Sequence, residues 1–259
     1  MTSVDRSELI SVIMPAHNSA RTLESAAASV LDQTHENLEL LIVDDASSDN
    51  TPEICRALAA SDDRVRVISN TCNMGALRSR LKAAKEAKAD WIAFLDSDDL
   101  WKADKLTKQL AVRDDAGCDI VYTGSAFMNE SGQSYEWIMH VPDSTEYKKL
   151  LKQNIISNSS VLVNKDAFIR FAPDEGDNRV MHEDFACWLG MLRSGLTARG
   201  IDEPLITYRI SKGSKSGSKI NASSMNMNTY EYLGLGFFSR LYYQMCYSVN
   251  GLKKYRHFR

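Results

Sequence analysis

Cysteine is sparse and unpatterned: Cys55, Cys72, Cys118, Cys187 and Cys246 are five in number, widely separated and never in CxxC spacing. This argues against a disulfide framework or a zinc cage and fits reduced thiols in a cytosolic protein. Long apolar runs are also missing. Nothing approaches the roughly 18 residues of a membrane span, and the opening MTSVDRSELISV lacks the charged-then-apolar layout of a signal peptide. The expected location is the cytoplasm, with peripheral contact on the inner face of the cell membrane left open. There is no basic excess either: 31 Lys and Arg stand against 34 Asp and Glu, a net charge of -3, so no nucleic-acid partner is expected. The loop after the first apolar run, PAHNSART, contains no glycine. Without GxGxxG a dinucleotide-binding domain is disfavoured, and without a Gly-rich phosphate loop so is a nucleotidyltransferase.

What is present is an alternation. Apolar, β-branched runs at Ile10 to Met14 (breaking at Pro15), Leu38 to Val43, Val65 to Ile68, Trp91 to Leu95 and Asp119 to Thr123 are separated by stretches of helical period. Such an order predicts a mainly parallel central sheet flanked by helices, in an α/β fold with right-handed crossovers. Further strands are expected at Ser157 to Val163 and Leu205 to Ile210, and helices at Lys102 to Asp115 and Glu183 to Arg193, the last stopped by Gly195. With 259 residues, no internal repeat and no long linker, the expectation is one domain over 1–221. Its two halves are expected at 8–124 and 125–221. Residues 222–259 form a C-terminal helical extension, rich in Tyr, Phe, Leu and Met and ending LKKYRHFR, with two helices separated near Asn250-Gly251. Its two readings are a helix packed on the domain and a basic, aromatic helix on an anionic membrane surface, where Lys253, Lys254, Arg256 and Arg259 would face lipid headgroups.

Acids gather where the parallel strands end. The run Trp91 to Leu95 stops at Asp96, Ser97, Asp98 and Asp99, and Leu38 to Val43 stops at Asp44 and Asp45. In open α/β sheets ligands bind beyond the carboxyl ends of the strands. Carboxylates grouped there repel one another unless a cation lies between them, and a divalent ion bridging phosphate oxygens fits. Taken alone, DSDD reads equally as a solvated turn or as the N-cap of a helix starting near Lys102.

With SVIMPAHN, LLIVDDASSDNT, NMGALRSR, WIAFLDSDD and HEDFACWLGMLRSG in that order over about 200 residues, the chain resembles the family 2 glycosyltransferases of the GT-A fold. In general look it is similar to bacterial enzymes that build capsule, O-antigen or teichuronic-type polysaccharide. The resemblance implies an inverting, Mn²⁺- or Mg²⁺-dependent transferase that moves a sugar from a nucleotide sugar, usually a UDP-sugar, to a saccharide or lipid-linked acceptor. It further implies that Pro15, Ala16 and His17 contact the nucleoside, that Asp45 accepts from the uracil ring, and that Arg80 reaches the nucleotide. Asp96 then lies near ribose and metal, Asp98 is the direct metal ligand and Asp184 is the catalytic base. Two departures stand out: the family's Ala-Arg-Asn stretch appears as Ser79-Arg80-Leu81, and Ser211 follows the Tyr208 to Ile210 stretch where many relatives place a histidine. Lys212 or Lys215 is the candidate to neutralise the diphosphate instead, as a closing lid. His182, beside the implied base, is of interest because imidazole titrates near neutrality. The alternative function is a non-catalytic nucleotide-sugar-binding scaffold, against which the intact Asp45, Asp96, Asp98 and Asp184 argue.

Overall fold

The computed structural model of the protein describes residues 7–173, 176, 179–210 and 219–255. The first half alternates as β1 (Ile10–Ala16), α1 (Leu23–Leu31), β2 (Leu38–Asp44), α2 (Thr51–Ser61), β3 (Val65–Ser69), α3 (Ala76–Glu86), β4 (Trp91–Phe94), β5 (Leu100–Trp101) and α4 (Lys105–Ala116). Next come β6 (Ile120–Asn129), β7 (Ser134–Met139), β8 (Ser144–Thr145), the short α5 (Tyr147–Leu150), a 3-10 turn (Asn158–Ser160), β9 (Leu162–Asn164), α6 (Lys165–Phe171), α7 (Glu183–Arg193) and β10 (Ala198–Ile210). Two helices follow, α8 (Lys219–Tyr232) and α9 (Phe237–Tyr255).

One sheet runs in the order β3-β2-β1-β4-β9-β6-β10-β5, with β7 beside β6 and β8 beside β10. Strands β3, β2, β1 and β4 are parallel; β9 is antiparallel to both neighbours, and β10 runs parallel to β6. The sheet is thus mainly parallel and covered by helices, as the alternation predicts. Successive side chains of a strand point to opposite faces, so β1 serves two cores. Val12 and Met14 meet α1 and α4, while Ile13 joins Phe94, Leu81 of α3, Phe168 of α6 and Trp188 of α7.

The differences from the sequence expectation have physical causes. Strand β1 does not break at Pro15 but runs through it. Ile13 O accepts from Leu95 N–H on the β4 side, so the proline nitrogen, two residues on, faces that side beyond the last β1–β4 pair, where no bond is lost. Strands β6 and β10 are longer than expected because their glycines and proline hide them. A Cβ on Gly124 would sit 2.9 Å from Glu203 O, and Pro204 falls at a register shift. The expected strand at Ser157 begins instead as the 3-10 turn, since Ser160 Oγ bonds Ser157 O at 2.6 Å, a local alternative to the ladder. Helix α4 starts at Lys105, not Lys102, which places DSDD outside it.

The C-terminal helices are separated at Gly234 to Gly236 and not at Asn250-Gly251. Gly234 has φ 74, a left-handed value suited to glycine. Leu235 N–H bonds Tyr230 O at 3.0 Å, closing α8 in the Schellman manner. Asn250 and Gly251 lie inside α9. Helix α8, which spans the expected 221/222 boundary, is an inner element: Asn226, Thr229 and Tyr230 are buried, and Tyr230 Oη donates to Leu151 O at 2.7 Å.

Candidate functional site

Loops following β1, β2, β3 and β4 meet at the carboxyl edge of the sheet and are tied to one another by short hydrogen bonds. Asp45 N–H donates to Ala16 O at 2.8 Å, Asn18 N–H to Ser47 Oγ at 3.0 Å and Ser48 N–H to Asn18 Oδ1 at 2.8 Å. Asn18 and Ala46 hold left-handed backbone, with φ 51 and 55. For alanine that conformation is unusual and clusters at functional sites. Pro15 and Ala16 are buried within β1, whereas His17 is exposed at its tip. The His17 Nδ1 lies 2.8 Å from the carbonyl oxygen of Asp45 and Nε2 lies 3.2 Å from Asn18 Nδ2. A carbonyl only accepts, so Nδ1 carries the proton, leaving Nε2 to accept from the amide.

Asp45 is 3% exposed, and its carboxylate holds the loop before α3. Oδ1 accepts from Asn70 Nδ2 and Met74 N–H, both at 2.8 Å, and Oδ2 from Gly75 N–H at 2.8 Å. Burial alone would raise this carboxyl, but the donors from Met74, Asn70 and Gly75 outweigh it and hold the group below its ordinary value. The Ser79 hydroxyl adds a further stabilising interaction with the ionised form, so the carboxylate is held by donors from three sides of the loop and helix.

Arg80 and Asp96 are brought together as an ion pair by α3 and the loop after β4. With its amide oxygen turned inward, Asn158 accepts from Arg80 Nε at 3.0 Å, which fixes the guanidinium from the other side. The acidic turn itself is closed by Asp99 N–H donating to Asp96 O at 3.0 Å. Asp99 is fully buried, taking Ser159 Oγ–H at 2.6 Å and Arg209 N–H at 2.9 Å. Desolvation, reinforced by the charges of Asp96 and Asp98, pushes its carboxyl well above the ordinary value. Asp98 is partly buried; desolvation first and the Asp96 charge second push it up to about 6, and Arg209 donates to its carbonyl oxygen at 2.9 Å, not to its carboxylate. No ion pair reaches the Asp98 carboxylate among the described residues. Ser97 Oγ, 2.7 Å from Ser19 Oγ, couples the turn to the β1 loop.

The remaining candidates lie apart or outside the described residues. Asp184 sits in the first turn of α7, bonding Phe185 N–H at 2.8 Å. Among the described residues no hydrogen bond or ion pair joins it to the acidic turn. His182 is the residue before α7, its N–H donating to Thr229 Oγ1 at 3.2 Å. Lys212 and Lys215 fall outside the described residues. Two surface depressions, lined by Val112, Asp115, Asp143 and Arg199 and by Asp32, Glu36 and Arg64, lie at the opposite end of the strands from the acidic turn. Sequence reasoning missed Ser19, Asn158, Ser159 and the supporting role of Arg209. The only signal was the serine-rich SNSS run, placed there as a strand.

Residues 11–176 match the family model described as glycosyl transferase family 2. The Bacillus subtilis (strain 168) protein TuaG, named for teichuronic acid biosynthesis, is 35% identical over 247 residues, covering 95% of this chain and 97% of its own. An Escherichia coli protein named UDP-Glc:alpha-D-GlcNAc-diphosphoundecaprenol beta-1,3-glucosyltransferase WfgD is 32% identical over 248 residues, covering 95% of each chain. Among solved structures, the mannosyltransferase PcManGT of Pyrobaculum calidifontis, in complex with GDP-Man and Mn²⁺, aligns with a TM-score of 0.68 at 17% identity. That alignment covers 88% of this chain and 64% of the other.

Proposed function

The chain belongs to glycosyl transferase family 2, and from that premise we propose that it moves a sugar from a UDP-sugar to a lipid-linked saccharide, with inversion at the anomeric carbon and with Mn²⁺ or Mg²⁺ held at Asp98. The observation that carries this reading is the acidic turn at the carboxyl edge of the sheet. There Asp96 is neutralised by Arg80, while no ion pair reaches the Asp98 carboxylate among the described residues, and burial and then Asp96 push that group up to about 6 against the pull of the Arg209 charge. A diphosphate could not approach Asp98 without a cation between them, and oxygen-only donor sets of one or two carboxylates suit Mg²⁺ or Mn²⁺. No three His, Cys, Asp or Glu converge on one point among the described residues, so phosphate oxygens and water would complete the shell. The ion, once bound, supplies electrostatic stabilisation to the departing diphosphate.

The chain's own groups supply the rest. Arg80, in the middle of α3 and pinned between Asp96 and Asn158, holds its guanidinium against the acidic turn, where it offsets negative charge beside the diphosphate. Asp45, kept ionised by its donors, is the acceptor offered to the N–H of the uracil ring, and His17 stands exposed at the tip of β1 beside it. Asp184 takes the proton of the acceptor hydroxyl as its oxygen forms the new bond to the anomeric carbon. The bond from that carbon to the diphosphate breaks on the opposite face, and its electron pair leaves with the nucleotide. The UDP-sugar and the lipid-linked acceptor are proposed from the WfgD name, and the divalent ion from the acidic turn together with the Mn²⁺ of the archaeal structure. A lipid-linked acceptor also sets the place of work, the inner surface of the cell membrane. The test is a panel of nucleotide sugars assayed for release of free nucleotide with Mn²⁺, with Mg²⁺ and with EDTA. Asp98→Ala is expected to abolish release and the dependence of donor binding on metal. Donor binding and turnover unchanged in EDTA would refute the metal assignment.

A further inference from the structure

Helix α9 is built inside out. In an amphipathic helix of a water-soluble domain the apolar stripe faces the core and polar residues face solvent. Here the inward face carries Arg240, Tyr243, Gln244, Tyr247 and Asn250. Arg240 pairs with Glu231, Gln244 Nε2 donates to Ser223 Oγ at 2.8 Å and Asn250 Nδ2 donates to Lys152 O at 3.2 Å. Tyr243 and Tyr247 stack their rings near Tyr230 and Phe185, at 6.3 and 6.0 Å. Facing solvent, at the helical spacing, are Phe238, Leu241, Tyr242, Met245 and Val249, with Phe238 85% and Met245 69% exposed. Phe237, 58% exposed, extends the stripe at the start of the helix.

We propose that this outward stripe of α9 is a docking face for an anionic lipid bilayer, lying in the plane of the interface. Three observations select that occupant. The first is chemical class: aromatic and aliphatic side chains in one exposed row, without a charge among them, suit the boundary between headgroups and acyl chains. The second is charge. From Phe237 to Arg259 the sequence has no Asp or Glu, and beside Arg240, which pairs inward with Glu231, it has four Lys and Arg, namely Lys253, Lys254, Arg256 and Arg259, although the whole chain carries -3. Such segregation complements an anionic leaflet. It disfavours the other simple occupant, a second copy, because an isologous contact would set two copies of this basic segment against each other. The third is length: no helix is long and apolar enough to cross a membrane among the described residues, so the face would lie on the bilayer and not pass through it.

The inference rests on the lipid-linked acceptor proposed above, and it adds which surface meets the bilayer. Because the face belongs to the last helix and the acidic turn to the sheet edge, docking and catalysis can be disabled separately. The full-length protein is sedimented with vesicles of phosphatidylcholine alone and with phosphatidylglycerol added, at low and at high salt, without donor or acceptor. Binding is expected only with the anionic lipid, weakened by salt. The pair F238S and M245S is expected to lower the bound fraction at least about tenfold with an unchanged melting temperature. Metal-dependent nucleotide release in solution is expected to stay at the wild-type rate in that variant. Equal vesicle binding by wild type and variant would overturn the docking face. So would wild type that ignores anionic vesicles yet forms dimers which the same pair dissolves, since the face would then be an interface between copies. Failure of nucleotide release in both proteins, with vesicle binding present in the wild type and lost in the variant, would instead strike the transferase reading and leave the face standing.

Discussion

Ser159 is the residue on which the geometry of the acidic turn depends most. Its hydroxyl donates to Asp99 Oδ2 at 2.6 Å and accepts from Asp96 N–H at 3.1 Å, while its carbonyl accepts from Trp101 Nε1 at 2.8 Å; the side chain is fully buried. Ser159→Ala removes both hydroxyl bonds and keeps the carbonyl one. Loss of a donor to a buried carboxyl costs about 1.5–3 kcal/mol, and the stranded Asp96 N–H adds about 1 kcal/mol. The sum, roughly 2.5–4 kcal/mol, corresponds to a fall in Tm of about 10 °C for a chain of this size. Ser160→Ala is the internal control. That hydroxyl, equally buried, donates only to Ser157 O at 2.6 Å, and losing one such bond costs about 1 kcal/mol. Thermal unfolding of the three proteins at pH 7.5, followed by circular dichroism, measures the difference. Melting of the two variants within about 2 °C of each other would refute the claim that Ser159 holds the turn. A further readout separates stability from function: Ser159→Ala should weaken metal-dependent donor binding at a temperature where it is fully folded, and Ser160→Ala should not.

Three more outcomes are expected. Asp184→Asn should lower kcat by about 10²- to 10⁴-fold while leaving donor affinity nearly unchanged, with Glu183→Gln close to wild type; near-normal turnover in Asp184→Asn would remove it as the base. Glu39 is buried, which alone would raise its carboxyl, but Ser11 Oγ–H at 2.6 Å, Lys88 N–H at 2.6 Å and Arg66 at 2.9 Å hold it below the ordinary 4.5. A depressed carboxyl contributes stability above its unfolded value and loses it as pH falls through the folded one. The gap in unfolding free energy between wild type and Glu39→Gln should therefore close on acidification below 4.5, and a gap independent of pH would contradict it. In Gly200→Ala the new Cβ would sit 2.1 Å from Pro142 O and 2.8 Å from the Tyr122 ring, so about 3 kcal/mol of destabilisation is expected; an unchanged denaturation midpoint would show that the strand yields more easily.

The parallel strands were legible because each is a short, largely apolar run, two of them ending in acids, and a run of that kind has few other ways to be buried. Asp45, Asp96 and Asp98 were visible as tips of those runs. What lay beyond reach was the support around them. Ser159 and Arg209 meet Asp99 across separations of 60 and 110 residues, which no local pattern encodes. Gly124, Gly200 and Pro204 interrupt the period of β6 and β10 and sit where the two strands and the β7–β8 segment crowd together, so they hid the strands they belong to. Gly234, a left-handed helix stop, was overlooked in favour of Asn250-Gly251, which α9 accommodates. The inverted face of α9 could not be assigned either, since a stripe of Phe, Leu, Tyr and Met at helical period reads the same whether it turns inward or outward.

Strand β9 enters the sheet between β4 and β6, although it is made almost 70 residues after β4. On a ribosome adding roughly 5–20 residues per second, the nascent chain would carry β4 as a bare edge for several seconds before its neighbour exists. During that interval the acidic turn also lacks Ser159, and Arg209 arrives later still. An uncovered edge of Ile92, Ala93 and Phe94 is a template for pairing with other chains, so newly made protein should depend on holding factors during synthesis. By the same logic a gene split before Asn158 would not yield a self-standing nucleotide-binding half: its product would carry an open edge and an acidic turn with Arg80 still on Asp96 but without the Ser159 and Arg209 donors that hold Asp99.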